Sequence, residues 1–198
     1  QLGAVLGPSN ILPGAYWASS HILSPGVIGE DVPAQISFGE IDDTDSLRSP
    51  DIRKVFRDAG IETEISLDPL RVLWEKFIVL SALAGITSAA QTRPKELLKY
   101  PDARTMFCNA MGESLAVGLA KGINLPDNLV QDSLKYIESL PDFQNSMHGD
   151  YEAGRATELE ALSGAVIRLG KQIGVKTPVH EFLYSVLLPH KDGFPTVD

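Results

Sequence analysis

The sequence predicts the closing part of an α/β domain followed by an all-helical bundle, and three features of the chain carry that prediction. Residues up to Ile65 alternate short β-favouring runs with one helical pattern. From Asp68 onward the apolar period becomes helical and stays so. At the switch stands Asp68-Pro69, a capping residue followed by a proline in the first turn, which is how many helices begin. The chain is therefore divided into residues 1–67 and 68–198.

Taken in order, Tyr16-Trp17-Ala18 and Ile36-Ser37-Phe38 read as strands, and Ser24-Pro25-Gly26 suits a turn between strands. Ser49 to Ala59 puts Ile52, Val55 and Phe56 on one helical face and is stopped by Gly60; Ile61 to Ile65 then alternates as a strand. This is a β-α-β tail. After the helix capped by Asp68, further helices fit Asp102 to Lys121, Asp127 to Leu140, Glu158 to Ile173 and Pro178 to Leu188. Helices joined by connections of this modest length make a compact bundle.

Composition narrows the function classes. With 26 acidic against 17 basic residues the net charge is -9, so a nucleic-acid backbone is repelled over most of the surface. The single Cys108 excludes an intrachain disulfide, and no Cys/His cluster has metal-ligand spacing, which fits a reducing cytoplasm and no bound metal. Gln1-Leu2-Gly3-Ala4 has no initiator Met, basic region or apolar signal core, and reads as a cut end.

In Leu73-Trp74-Glu75-Lys76-Phe77-Ile78-Val79-Leu80-Ser81-Ala82-Leu83-Ala84-Gly85-Ile86, no charge follows Lys76 until Arg93, and apolar residues occupy every face. That pattern belongs to a helix central in a core. The run is too short, and too rich in Ser, Thr and Gln near its end, for a membrane span of about 20 apolar residues. Trp74 is placed in the core. Lys76 has two readings: its ammonium snorkels to water, or it sits at the mouth of an apolar cleft, where desolvation lowers its pKa and makes it a general acid.

Between Asn145 and Glu160, polar groups and glycines precede a helix start. Thr157 with Glu160 forms a capping box, and Glu158 falls in the first turn, where the helix dipole favours a carboxylate. A second reading has Ser146 donating to a ligand carboxylate and Glu158 accepting from an amide or hydroxyl, with Gly149 and Gly154 letting the backbone approach. His148 with Asp150 falls short of the three or four ligands a metal site needs, and Arg155 can pair with Asp150 or Glu152. His21, His180 and His190 have no recognisable partner in the sequence.

Leu73-Trp74-Glu75-Lys76 with the helix behind it, together with Asn145-Ser146-Met147, Asp150, Gly154-Arg155, Thr157-Glu158 and Gly174-Val175-Lys176-Thr177-Pro178-Val179, resembles the ketopantoate reductase (2-dehydropantoate 2-reductase) family. The front is similar too: Pro13-Gly14-Ala15-Tyr16, Ser24-Pro25-Gly26-Val27-Ile28, Ile36-Ser37-Phe38-Gly39-Glu40 and Ala59-Gly60-Ile61 look like the end of that family's nucleotide-binding domain. The fold implied is an α/β remnant of a Rossmann-type domain followed by an all-α helical bundle. The activity implied is NADPH-dependent reduction of 2-dehydropantoate to pantoate, for pantothenate and coenzyme A. By the resemblance, Lys76 is the catalytic proton donor, Ser146 contacts the substrate carboxylate, and Glu158 contacts the cofactor near its nicotinamide.

The family's best-described members place substrate asparagines at the positions of Leu80 and Ala84, one and two turns beyond the lysine, and another near Pro94. A pocket without those donors selects a different acid, so a related NAD(P)-dependent reductase of another 2-oxoacid is the first alternative, and a non-catalytic helical dimerisation module is the second. No G-x-G-x-x-G occurs, so about a hundred residues are expected ahead of Gln1. These residues alone are expected neither to hold NADPH tightly nor to turn over. The partners expected are a small 2-oxoacid and a second copy of the chain, with no nucleic acid and no membrane.

Overall fold

At Ser24-Pro25-Gly26 the chain reverses, with Gly26 at φ 81° where a side chain would be strained. In the computed structural model, which describes residues 2–41 and 48–194, this turn joins β1 (Gly14–Ser24) to β2 (Val27–Phe38) as a long antiparallel hairpin. The strand pairs run from Gly14 opposite Phe38 to Ser24 opposite Val27. The hairpin reaches further than the two apolar runs predict, because Ser19-Ser20-His21 interrupts the alternation by which a strand is recognised. Helix α1 (Leu2–Leu6) precedes it. Helix α2 (Arg48–Asp58) then carries the chain to β3 (Glu62–Ile65), which pairs parallel to β2 with Gln35 opposite Glu62 and Phe38 opposite Ile65. Parallel strands need such a crossover, so β2, α2 and β3 form the predicted β-α-β tail.

The chain divides into two compact units, Gln1–Leu73 and Trp74–Asp198. The division falls inside α3 (Pro69–Ala90). The Asp68 carboxylate accepts the Arg71 N–H at 3.0 Å, the predicted cap. By length and composition alone α3 could cross a membrane, longer than the sequence suggests, but half of its apolar window is buried inside the protein, as in a core helix.

The second unit adds α4 (Pro94–Leu97), α5 (Pro101–Ala120), α6 (Leu129–Ser139), α7 (Ser146–Glu152), α8 (Ser163–Ile173) and α9 (Pro178–Leu187). Ile78, Ala82, Leu83 and Ile86 of α3 pack with Phe107, Ala110 and Met111 of α5, with Leu134 and Ile137 of α6, and with Leu183 of α9. Trp74 is partly buried against this cluster and meets Phe77 edge to face. Gly118 admits that ring: a Cβ there would lie 3.0 Å from Trp74 Cε3 and 2.6 Å from Leu125 Cδ1. Cys108 is a partly buried free thiol beside the same core.

Candidate active site

Lys76 lies in the second turn of α3 and is half-buried. Burial pushes the ammonium pKa below the ordinary lysine value, because it penalises the charged form. Leu80, one turn on, is also half-buried. Ala84, a turn further, is 3% exposed and packs in a separate apolar cluster with Met147, Leu159 and Leu187. Thr87, eleven residues beyond Lys76 and so about three turns on, returns to the same face of the helix. Lys76, Leu80, Ala84 and Thr87 thus form one stripe along α3.

Ser146 is the exposed first residue of α7. The sequence treats residues 145–157 as a polar run before a helix, but residues 146–152 are themselves helical, and their cap is Asn145, whose side-chain oxygen accepts the His148 N–H at 3.0 Å. The other end of the same amide donates to Thr87 Oγ1 at 2.6 Å, and Thr87 donates in turn to Leu83 O at 2.8 Å. Met147 and His148 face inward and are buried. His148 is therefore not the surface polar residue its loop context suggests: burial lowers its pKa, and its ring nitrogens have no hydrogen-bond partner among the described residues. Arg155 pairs with Asp150, Nε to Oδ1 at 2.8 Å. Among the described residues, no group of three or more His, Cys, Asp or Glu is placed to hold a metal.

Glu158 is exposed in the turn ahead of α8, and here the predicted capping box fails. Helix α8 begins at Ser163 rather than Glu158, with Leu162 at its N-cap position. Thr157 is engaged elsewhere: its N–H donates to Lys191 O at 2.8 Å and its hydroxyl to the same oxygen at 3.3 Å. Glu160 accepts from the Tyr184 hydroxyl at 2.6 Å and from Arg168 at 2.8 Å. The local capping signature loses to contacts with a distant segment. Ala156 bridges Asp192, Phe194 N–H donates to Gly154 O at 3.1 Å, and the Tyr151, His190 and Phe194 rings meet edge to face. Gly154, at φ 66°, lets Phe194 approach; a Cβ would lie 2.9 Å from that ring. Residues 190–194 thus hold the loop that presents Glu158.

The largest feature missed by sequence reasoning is a buried polar network behind α3. His180 is fully buried, with Nε2 3.0 Å from Ala110 O and 2.9 Å from Ser114 Oγ, and Nδ1 3.3 Å from Ser163 Oγ. A carbonyl only accepts, so Nε2 carries the proton and Nδ1 accepts from Ser163. Ser81 donates to Ile78 O at 3.2 Å and lies 3.0 Å from Ser114, so the chain of hydrogen bonds ends on the lysine helix. Burial holds the His180 pKa down at about 4. Beside it, the Glu113 carboxylate accepts the N–H groups of Val179 and His180 at 2.8 and 3.0 Å, and its pKa is raised, chiefly by burial. Only the tertiary fold brings these residues together. The His21 side chain lies outside the described residues.

Residues 68–191 match the family model described as the ketopantoate reductase PanE/ApbA C-terminal domain. The chain is 25% identical over 184 residues to the 2-dehydropantoate 2-reductase of Halobacterium salinarum, covering 92% of this chain and 61% of that protein. The solved 2-dehydropantoate 2-reductase of Geobacter metallireducens superposes with a TM-score of 0.87 at 25% identity, over 95% of this chain and 63% of that one. D-mandelate dehydrogenase in its ternary structure with NADH and anilino(oxo)acetate shares the fold, with a TM-score of 0.83 at 20% identity over 96% of this chain and 64% of that one. The chain spans about 60% of the length of the curated relatives it matches.

Proposed function

The chain belongs to the ketopantoate reductase family through its C-terminal helical domain, and on that premise we propose that it forms the catalytic and substrate-binding part of an NADPH-dependent reductase that converts 2-dehydropantoate to pantoate. The observation that carries the reading is Lys76: a half-buried lysine with a lowered pKa, at the head of an apolar stripe. When bound, the nicotinamide supplies a hydride to the carbonyl carbon. Lys76 donates hydrogen bonds to the carbonyl oxygen, stabilises the negative charge that develops there, and gives up its proton to form the hydroxyl. Ser146 donates to the substrate carboxylate, and Glu158 would hold the cofactor near its nicotinamide. Half-buried Leu80 offers the substrate an apolar surface, while Ala84, closed in by Met147, Leu159 and Leu187, backs it from the core.

In this reading residues 1–67 are the end of a Rossmann-type nucleotide-binding domain, supported by the parallel β2-α2-β3 crossover, and residues 68–198 are the substrate domain. The glycine loop that grips the cofactor pyrophosphate is not among these residues, so activity belongs to the full gene product, which we place in the cytoplasm. A second reading, reduction of another 2-oxoacid with NADH or NADPH, is favoured by Leu80 and Ala84 and by the fold shared with D-mandelate dehydrogenase.

The test is cofactor oxidation by the full gene product, with both nucleotides, against 2-dehydropantoate and a panel of aliphatic and aromatic 2-oxoacids. Turnover is expected to be best with 2-dehydropantoate and NADPH, and Lys76→Ala to lower kcat by about a hundredfold or more. Preference for another acid selects the second reading. Turnover that survives Lys76→Ala removes the lysine from the chemistry.

A further inference from the structure

Lys76 and Ser146 come from different helices, and a small acid spanning them is bound well only if those helices keep a fixed register. Beside the apolar packing of Ala84 with Met147, one side chain makes a polar connection. The Asn145 oxygen accepts the His148 N–H at 3.0 Å, which caps α7, and its nitrogen donates at 2.6 Å to Thr87 Oγ1, on the Lys76 stripe of α3. The amide orientation is forced. The Thr87 hydroxyl proton is committed to Leu83 O at 2.8 Å, so its oxygen accepts, and a reversed Asn145 would set its oxygen against that acceptor and its NH2 against the His148 N–H. Thr87 is fully buried, so the bond forms away from competing water.

We propose that Asn145 and Thr87 are positioning residues that fix Ser146 relative to the lysine helix and so determine affinity for the 2-oxoacid carboxylate, an inference that rests on the reductase reading above. Neither touches substrate. Cap and tether are separable by mutation: serine at 145 still caps but is too short to reach Thr87, whereas valine at 87 removes the acceptor and leaves the cap intact.

The experiment measures kcat, KM for the 2-oxoacid, KM for the nucleotide and the thermal midpoint of the full gene product, as wild type, Thr87→Val, Thr87→Ser and Asn145→Ser. Thr87→Val and Asn145→Ser are expected to raise the 2-oxoacid KM about tenfold, the scale of one lost positioning hydrogen bond. The nucleotide KM and kcat are expected to stay within about twofold of wild type, and Thr87→Ser to restore the acid KM. If Thr87→Val does not fold, Asn145→Ser alone decides. An unchanged acid KM in a folded variant overturns the proposal, as does a parallel change in both KM values and kcat, which marks general loosening. A wild-type protein that reduces no 2-oxoacid overturns the reductase reading itself, and is told apart because it fails before any variant is compared.

Discussion

Lowering the pH from 7 to 4 is predicted to remove about 3 kcal/mol of folding stability through His180 alone. The imidazole has an ordinary value of 6.5 and is held at about 4 in the folded protein by burial. Between those values the unfolded chain binds a proton that the folded chain refuses, so stability is complete above the unfolded pKa and declines as the pH falls toward the folded one. At pH 4 the folded imidazole is half-protonated and the unfolded one almost wholly so, which sets the figure of about 3 kcal/mol. Glu113 acts in the opposite sense: its folded pKa is raised, so its contribution is present at low pH and lost as the pH rises through that value. The control is His180→Gln, which removes the titration and keeps the backbone N–H that Glu113 accepts. Urea unfolding followed by circular dichroism at pH 7 and pH 4 should show the wild type losing about 3 kcal/mol more than the variant. Equal losses in the two proteins would refute a buried, neutral His180.

The lowered Lys76 pKa gives a second handle. The proton donor must be charged, so kcat/KM of the full gene product for a 2-oxoacid should fall as the pH rises through a value below the ordinary 10.5, and a limb at or above 10.5 would contradict the assignment. Gly118→Ala would set a methyl group 2.6 Å from Leu125 Cδ1 and 3.0 Å from the Trp74 ring. Such overpacking costs about 1–3 kcal/mol, so an unchanged thermal midpoint would show that α5 and Trp74 are less tightly packed than described.

What the sequence made legible was local. The Ser24-Pro25-Gly26 turn, the Asp68 cap and the apolar faces of α3, α5, α6 and α9 each depend on residues within a few positions of one another, and each appears close to where it is predicted. The start of α8 does not, because Thr157 and Glu160 satisfy themselves on Lys191, Tyr184 and Arg168 rather than on each other. Helix α7 escaped notice because it is short and glycine-bearing, and its strongest mark, the Asn145 cap, also bonds to a residue 58 positions away. His180 lacked a partner for the same reason: Ser114 lies 66 residues upstream and Ser163 17. Of the candidate site, residue types and spacing left Lys76, Ser146 and Glu158 with two readings each, and the family resemblance chose between them, while the groups that hold them came only with the fold.

Residues 190–194 and the loop from Gly154 to Thr157 are remote in sequence, yet their backbones are hydrogen-bonded to each other. For inheritance and for engineering they count as one part. Moving the Glu158 loop into another helical scaffold would carry its letters without its conformation unless Lys191, Asp192 and Phe194 travelled with it, and Gly154 would have to stay glycine whatever stood at 194, because its φ of 66° strains any side chain.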